Sequence, residues 1–223
     1  MKKLIVVCFL LMYLTSCSQN KKDVRQLFEN DYKFKLGIFG SKLTNFFPKT
    51  LPDGVRNISA TYLNDKLVKG CFGVGYIFLA AYYPNEEFNA NKHKFDSISK
   101  AIYNPTDTTL ILVFSYTDKI EIEGKIYDNG EDPERRLLAK KNVTTSTSLP
   151  IPLFEPDIYK GKAPYGLSED FNMYVFDAKL GKFIKEEYLQ ECDCLPEKWK
   201  HGYSKGVALS EKQQIVIYWT IVW

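Results

Sequence analysis

The chain has 223 residues, 45% apolar, 26% charged and 15% aromatic, and its 30 Lys and Arg exceed 27 Asp and Glu by a formal +3. This length supports one domain with a real core, or two small ones, and the composition excludes an intrinsically disordered chain. With 13 Gly and 10 Pro, a collagen-like or low-complexity chain is excluded as well.

The chain starts with the cationic Met1-Lys2-Lys3, and Leu4 to Leu14 follow as an uncharged apolar run. That run is shorter than the ~20 residues a spanning helix needs and predicts a secretory signal peptide. Its end, Leu14-Thr15-Ser16-Cys17, resembles the lipobox of bacterial lipoproteins, where a branched apolar residue and two small residues precede the acylated Cys. The resemblance implies a signal peptide at 1–16, cut before Cys17, with Cys17 diacylated on sulfur and its new amino group acylated as well. Acyl chains contribute ~0.8 kcal/mol per buried methylene, so two or three hold a protein on a bilayer durably. Ser18, rather than Asp, follows the Cys, and in proteobacterial lipoproteins that favours the outer membrane over the inner. The polar stretch Gln19-Asn20-Lys21-Lys22-Asp23 suits a solvated tether, taken as 17–30. It also resembles the surface-export signal of Bacteroidetes lipoproteins, though the known forms are more acidic.

Next, Leu36, Phe39, Leu43 and Phe46 fall at three- and four-residue steps and predict an amphipathic helix over 34–47, ended by Pro48 and weakened by Gly37 and Gly40. Pro52-Asp53-Gly54 reads as a turn. Strands are expected at Val55 to Leu63 and, as a central one, at the almost continuously apolar Cys71 to Tyr83. A hairpin is expected between Thr109 to Tyr116 and Lys119 to Tyr127, turning at Thr117-Asp118. The Ser/Thr- and Pro-rich stretch 142–156 reads as an internal linker or long surface connection. Beyond it come a strand at Asn172 to Asp177, a helix at Lys179 to Cys192, and a final hairpin of Gly206 to Leu209 with Gln214 to Trp223. Val, Ile, Tyr, Phe and Trp dominate these runs. The expected class is therefore α+β, a mainly antiparallel sheet with a few short helices in a single domain over 31–223, the signal segment lying outside the fold.

Of five Cys, the signal takes Cys8 and lipid takes Cys17, leaving Cys71, Cys192 and Cys194. In an oxidising envelope these are candidates for one disulfide. A bond between Cys192 and Cys194 would be strained, which favours Cys71 with one of them. The Cys-Asp-Cys segment could instead hold a soft metal, but a zinc set would need His93 or His201 to fold onto it, so structural or free thiols are preferred and no metal or cofactor is assigned. Glycines at 70, 73 and 75 match no dinucleotide or phosphate-loop pattern. They suit close backbone approach or a bulge. Glu186, Glu187, Glu191 and Asp193 read as a solvated acidic face.

Lys198 to Gly206 carries the densest mixture of basic, aromatic and hydroxyl groups in the chain. Trp199, His201, Tyr203 and Lys205 are the candidate ligand-binding residues, taking an anion or a sugar ring through cations and stacking. The alternative is an ordinary connection with turn glycines and aromatics covering a sheet edge. His201 and Ser204 make no catalytic dyad without an orienting carboxylate. The apolar end, Ile215 to Trp223, is the length of one outer-membrane barrel strand, yet a buried core strand is preferred.

The expected function is a lipid-anchored envelope protein acting as a non-enzymatic binding or accessory module with a protein or glycan partner. An envelope hydrolase and an immunity-type inhibitor of a toxin are the alternatives. Removing Lys2 and Lys3 with the signal leaves 28 basic against 27 acidic residues, so the basicity belongs largely to the export signal and nucleic acid is not expected as a partner.

Overall fold

A computed structural model describes residues 24–61, 74–107, 110–113, 120–122, 125–127, 147–154, 166–183, 185–186 and 195–223. The expected lipidation site Cys17 and the remaining cysteines, Cys71, Cys192 and Cys194, lie outside these residues. The chain divides into two compact units at Leu51/Pro52, whereas the sequence suggests one domain from residue 31.

The first unit holds a helix over 24–39 (α1) and a short helix Ser41–Thr44 (α2). The helix thus occupies 24–30, a stretch expected to be tether, and stops well before Pro48. Gly40 explains the stop. Its φ of +74° ends α1 in a conformation that L side chains resist, and its N–H donates back to the carbonyl of Leu36 at 3.2 Å. One side of α1 is tied to the segment after α2. The buried Tyr32 donates its hydroxyl to the carbonyl of Pro48 at 2.7 Å, Arg25 donates to the carbonyl of Leu51 at 3.2 Å, and the Leu51 N–H donates to the Glu29 carboxylate at 2.8 Å. Burial pushes the Glu29 carboxyl up, but the Leu51 N–H and Lys33 outweigh it and hold it below the ordinary value.

The second unit is built on a six-stranded antiparallel sheet and holds one α-helix and a one-turn 3-10 helix among the described residues; with the helices of the first unit, the chain is α+β. Its strands are β1 (Val55–Thr61), β2 (Gly75–Tyr82), β3 (Ala101–Tyr103), β8 (Phe171–Leu180), β9 (Gly202–Ser210) and β10 (Ile215–Val222), in the order β1-β2-β10-β9-β8-β3. The expected final hairpin is present as β9 and β10, Ile215 pairing with Ser210, and β10 is an interior strand with nearly every residue buried. The β2 strand lies in the interior too, between β1 and β10.

Period-two alternation gives this sheet two faces. On one, Ile217, Trp219, Ile221 and Trp223 join Phe78, Met173 and Val175 in the core, together with Ile111, Ile151, Phe154 and Trp199 from outside the sheet. On the other lies α3 (Asn85–Ile98), a helix for which the sequence offers weak signs. Only Phe88 and Phe95 of this helix are buried, and Phe95 meets Phe176 at 5.4 Å and Tyr218 edge-on at 5.9 Å between ring centroids. Acidic Glu86 and Glu87 in its first turn complement the helix dipole.

Several expected elements differ. The strands β5 (Ile120–Ile122) and β6 (Lys125–Tyr127) pair with each other, Ile122 opposite Lys125, so the reversal falls inside the run read as one strand. In β4 (Leu112–Val113), residues expected to form a hairpin instead pair in parallel with β7 (Ile151–Pro152). The segment 150–154, read from its prolines as a surface connection, is core: Ile151 and Phe154 are fully buried. Proline alternation permits this. The N–H groups of Ile151 and Leu153 donate to Ile111 and Val113 at 2.9 and 3.0 Å, while Pro150 and Pro152, lacking N–H, fall at the positions between. Finally, β8 continues through Leu180, so the helix expected from Lys179 begins as strand instead.

Candidate functional site

The four ligand-binding candidates lie on or beside β9: Tyr203 and Lys205, two residues apart, share one face of the strand, whereas Trp199 and His201 precede it. Trp199, in a one-turn 3-10 helix at Glu197–Trp199, belongs to the tryptophan-rich core face, 6.1 Å between centroids from Trp223, whose indole N–H donates to the Trp199 carbonyl at 2.7 Å. Tyr203 and Lys205 stand in register with Val222 and Thr220 on the opposite face. Trp199 is 6% exposed and Tyr203 fully buried, so neither ring offers a face to a ligand from solvent. His201 is half-buried, its carbonyl accepting the Gly181 N–H at 3.0 Å. The expected binding loop is thus a core strand with its approach, with the Trp199 and Tyr203 rings packed inside.

The glycines of this stretch also act differently from turn residues. Gly206 lies in the middle of β9, where an added Cβ would meet the Tyr174 carbonyl oxygen at 2.1 Å and the Trp219 indole at 2.7 Å. It gives Trp219 a seat on the sheet. The bulge in β8 between Val175 and Asp177 lies opposite, turning Phe176 toward α3 and setting Asp177 against Lys205.

Around that bulge lies a polar cluster. Asp177 accepts hydrogen bonds from Lys100 and from the Tyr203 hydroxyl, and Phe183 packs edge-on over Tyr203 at 4.6 Å. Burial pushes the Asp177 carboxyl up, but Lys100 and Tyr203 outweigh it and hold the carboxyl below its usual range. For Tyr203, burial and the neighbouring carboxylate both raise the phenol. A carboxylate favoured in its charged form beside a phenol favoured in its neutral form makes a charge-assisted bond. Neither group is tuned to exchange a proton near neutral pH.

The hydroxyl of Ser204, the near neighbour of His201, is committed elsewhere: it is fully buried and donates to the Pro150 carbonyl at 2.6 Å. Among the described residues, no three His, Cys, Asp or Glu side chains are grouped to hold a metal ion. His93, the other imidazole considered for zinc, is exposed on α3. Of the acidic run, Glu186 is described, and it is exposed and paired with Lys182.

A second polar cluster, without a sequence motif to announce it, closes the sheet at the β9–β10 turn. Asp170 accepts from Ser168 at 2.5 Å, from Ser210, and from Gln213 at 2.9 Å, while the Gln213 N–H donates to Ser210 at 3.0 Å. Burial opposes the charge, but the three side-chain donors prevail and hold the Asp170 carboxyl at about 2, against an ordinary 3.8. Because the folded value is depressed, its stabilisation is present above the ordinary value and lost as pH falls from 3.8 toward 2. Asp170→Asn is expected to flatten that acid limb in urea melts across the pH range and to cost about 1 kcal/mol at neutral pH, after allowance for solvent screening. An acid limb as steep as in the unmodified chain would show that Asp170 is not its source.

Comparison of the chain with protein-family models, with curated proteins and with solved structures finds no match.

Proposed function

We propose that this is a lipid-anchored protein of the bacterial cell envelope, favouring the outer membrane, with a non-enzymatic binding or accessory module. The observation that carries the reading is Leu14-Thr15-Ser16-Cys17 behind a cationic start and a short apolar run. No helix among the described residues is long and apolar enough to cross a membrane, and an acylated Cys17 needs none. The non-enzymatic part is supported by the inward commitment of the polar groups: Ser204, Ser210, Asp177 and Tyr203 are all engaged in structural hydrogen bonds.

Mass spectrometry of the native N-terminus tests the anchor. The expected product begins at Cys17 and carries diacylglycerol and an amide-linked acyl chain. Cys17→Ser is expected to abolish acylation, leaving the protein out of the detergent-soluble membrane fraction or as uncleaved precursor. An intact Met1, or cleavage anywhere but before Cys17, overturns the anchor. Turnover of an envelope polymer or ester by the purified mature chain would overturn the non-enzymatic assignment.

A further inference from the structure

We propose that the apolar face of α1 lies on the bilayer surface, making the first unit a second, interfacial membrane contact. This inference rests on the lipid-anchor reading above. Helix α1 is buried along one side, through Tyr32 and the groups bonded to Glu29 and Arg25, but carries a second, apolar side whose residues are largely exposed. Leu27, Phe34 and Phe28 are 68%, 65% and 59% exposed, and Val24 and Ile38 are 49% and 43% exposed. At 3.6 residues per turn these five side chains fall within an arc of about 120°. Asp31 and Lys35 share that arc, but they pair with each other at 2.5 Å and so place no net charge on it. Scattered exposed apolar residues are ordinary, whereas five aligned on one helix mark a contact surface.

Two further features identify the occupant as lipid. The first is reach. From Cys17 to Val24 is seven residues, which even fully extended span about 25 Å, so an acyl chain at Cys17 keeps the start of α1 near the headgroups. The second is charge. Residues 17–51 contain seven Lys and Arg against three Asp and Glu, a formal +4, while residues 52–223 contain 21 against 24, a formal −3. The near neutrality of the mature chain conceals a basic first unit, and basic residues beside an apolar helix face are what an anionic leaflet attracts.

The test uses the whole mature chain, residues 17–223, with Cys17→Ser so that no lipid contributes. It is sedimented with vesicles of phosphatidylcholine containing one quarter phosphatidylglycerol, and with vesicles of phosphatidylcholine alone. The chain is expected to pellet with the anionic vesicles and to be released by salt. Leu27→Glu, Phe28→Glu and Phe34→Glu together are expected to lower the partition coefficient at least tenfold while leaving circular dichroism and Tm unchanged, because these positions are exposed. If the triple variant loses its fold, Phe28→Glu alone makes the comparison, with a severalfold loss expected. A wild-type face that stays in the supernatant, or a variant that pellets equally, overturns the proposal. So does a dimer in vesicle-free solution that the substitutions split, because the face would then belong to a second copy. Acylation is absent from this assay, so its failure is distinct from failure of the anchor reading, which N-terminal mass spectrometry decides.

Discussion

Gly206→Ala is expected to destabilise the sheet by about 3 kcal/mol or more, lowering Tm by roughly 10 °C for a domain of this size. Two contacts cause this, and they differ in kind. The added Cβ would lie 2.7 Å from the Trp219 ring, and a ring can tilt. It would also lie 2.1 Å from the Tyr174 carbonyl oxygen, which belongs to the β8 backbone at the bulge and moves only if the β8–β9 pairing moves. Because the backbone contact is the tighter, Gly206→Ala combined with Trp219→Phe should recover only part of the loss. Full recovery in the double variant would assign the cost to the indole alone, and an unchanged Tm in the single variant would refute the close approach.

Trp219→Ala is the second large effect, at about 3–5 kcal/mol, the range for emptying a buried aromatic site. Trp219 is fully buried, meets Phe154 edge-on at 5.6 Å and Gly206 beneath, and links β10 to the segment after β7. Among the described residues its indole N–H has no hydrogen-bond partner, whereas that of Trp223 donates to the Trp199 carbonyl at 2.7 Å. Leaving a buried donor unsatisfied costs about 1–3 kcal/mol, so replacing Trp219 by Phe removes a penalty along with some packing. Replacing Trp223 by Phe removes a bond. Urea melts should therefore rank Trp223→Phe as the more damaging of the two Phe variants, although Trp219 is the more deeply placed residue. The opposite order would mean that packing volume outweighs the hydrogen bond here.

The strands most legible in the sequence are those whose alternation or apolar length is pronounced. The final hairpin, the interior apolar strand at β2 and the strand at Val55 all follow from local pattern, because burial on one face or both imposes a period of two or a continuous apolar run. Helix α3 is faint for the converse reason. It touches the sheet mainly through Phe88 and Phe95, seven residues apart, and the rest of its surface is polar, so little periodicity marks it. Pro150 and Pro152 mislead because proline is read as a breaker, yet here the bonded N–H groups belong to Ile151 and Leu153 between and after them. Gly40 points the other way: a helix is recognisable around it, but only the backbone shows that its positive φ divides the helix in two.

For the candidate site, nearness in sequence proved a poor guide to nearness in space. Trp199, His201, Tyr203 and Lys205 stand close together along the chain, but Trp199 belongs to a 3-10 turn before β9 that carries it into the tryptophan core, while Tyr203 on the strand reaches the Asp177 cluster on the other face. The Asp170 cluster shows the reverse: the pair Ser168 and Asp170 meets the pair Ser210 and Gln213 across forty or more residues of chain.

Local chemistry along the chain is enough to establish a sheet-rich α+β class, the final hairpin and a charge balance that falls to nearly neutral once the cationic start is set aside, since each depends on composition or on neighbours a few residues away. Which strand lies beside which, which glycine seats a tryptophan, and which polar groups are consumed by the fold depend on contacts between distant segments. Those were decided only when β8, β9 and β10 paired, because strand register determines whether a side chain faces the core, a partner or water.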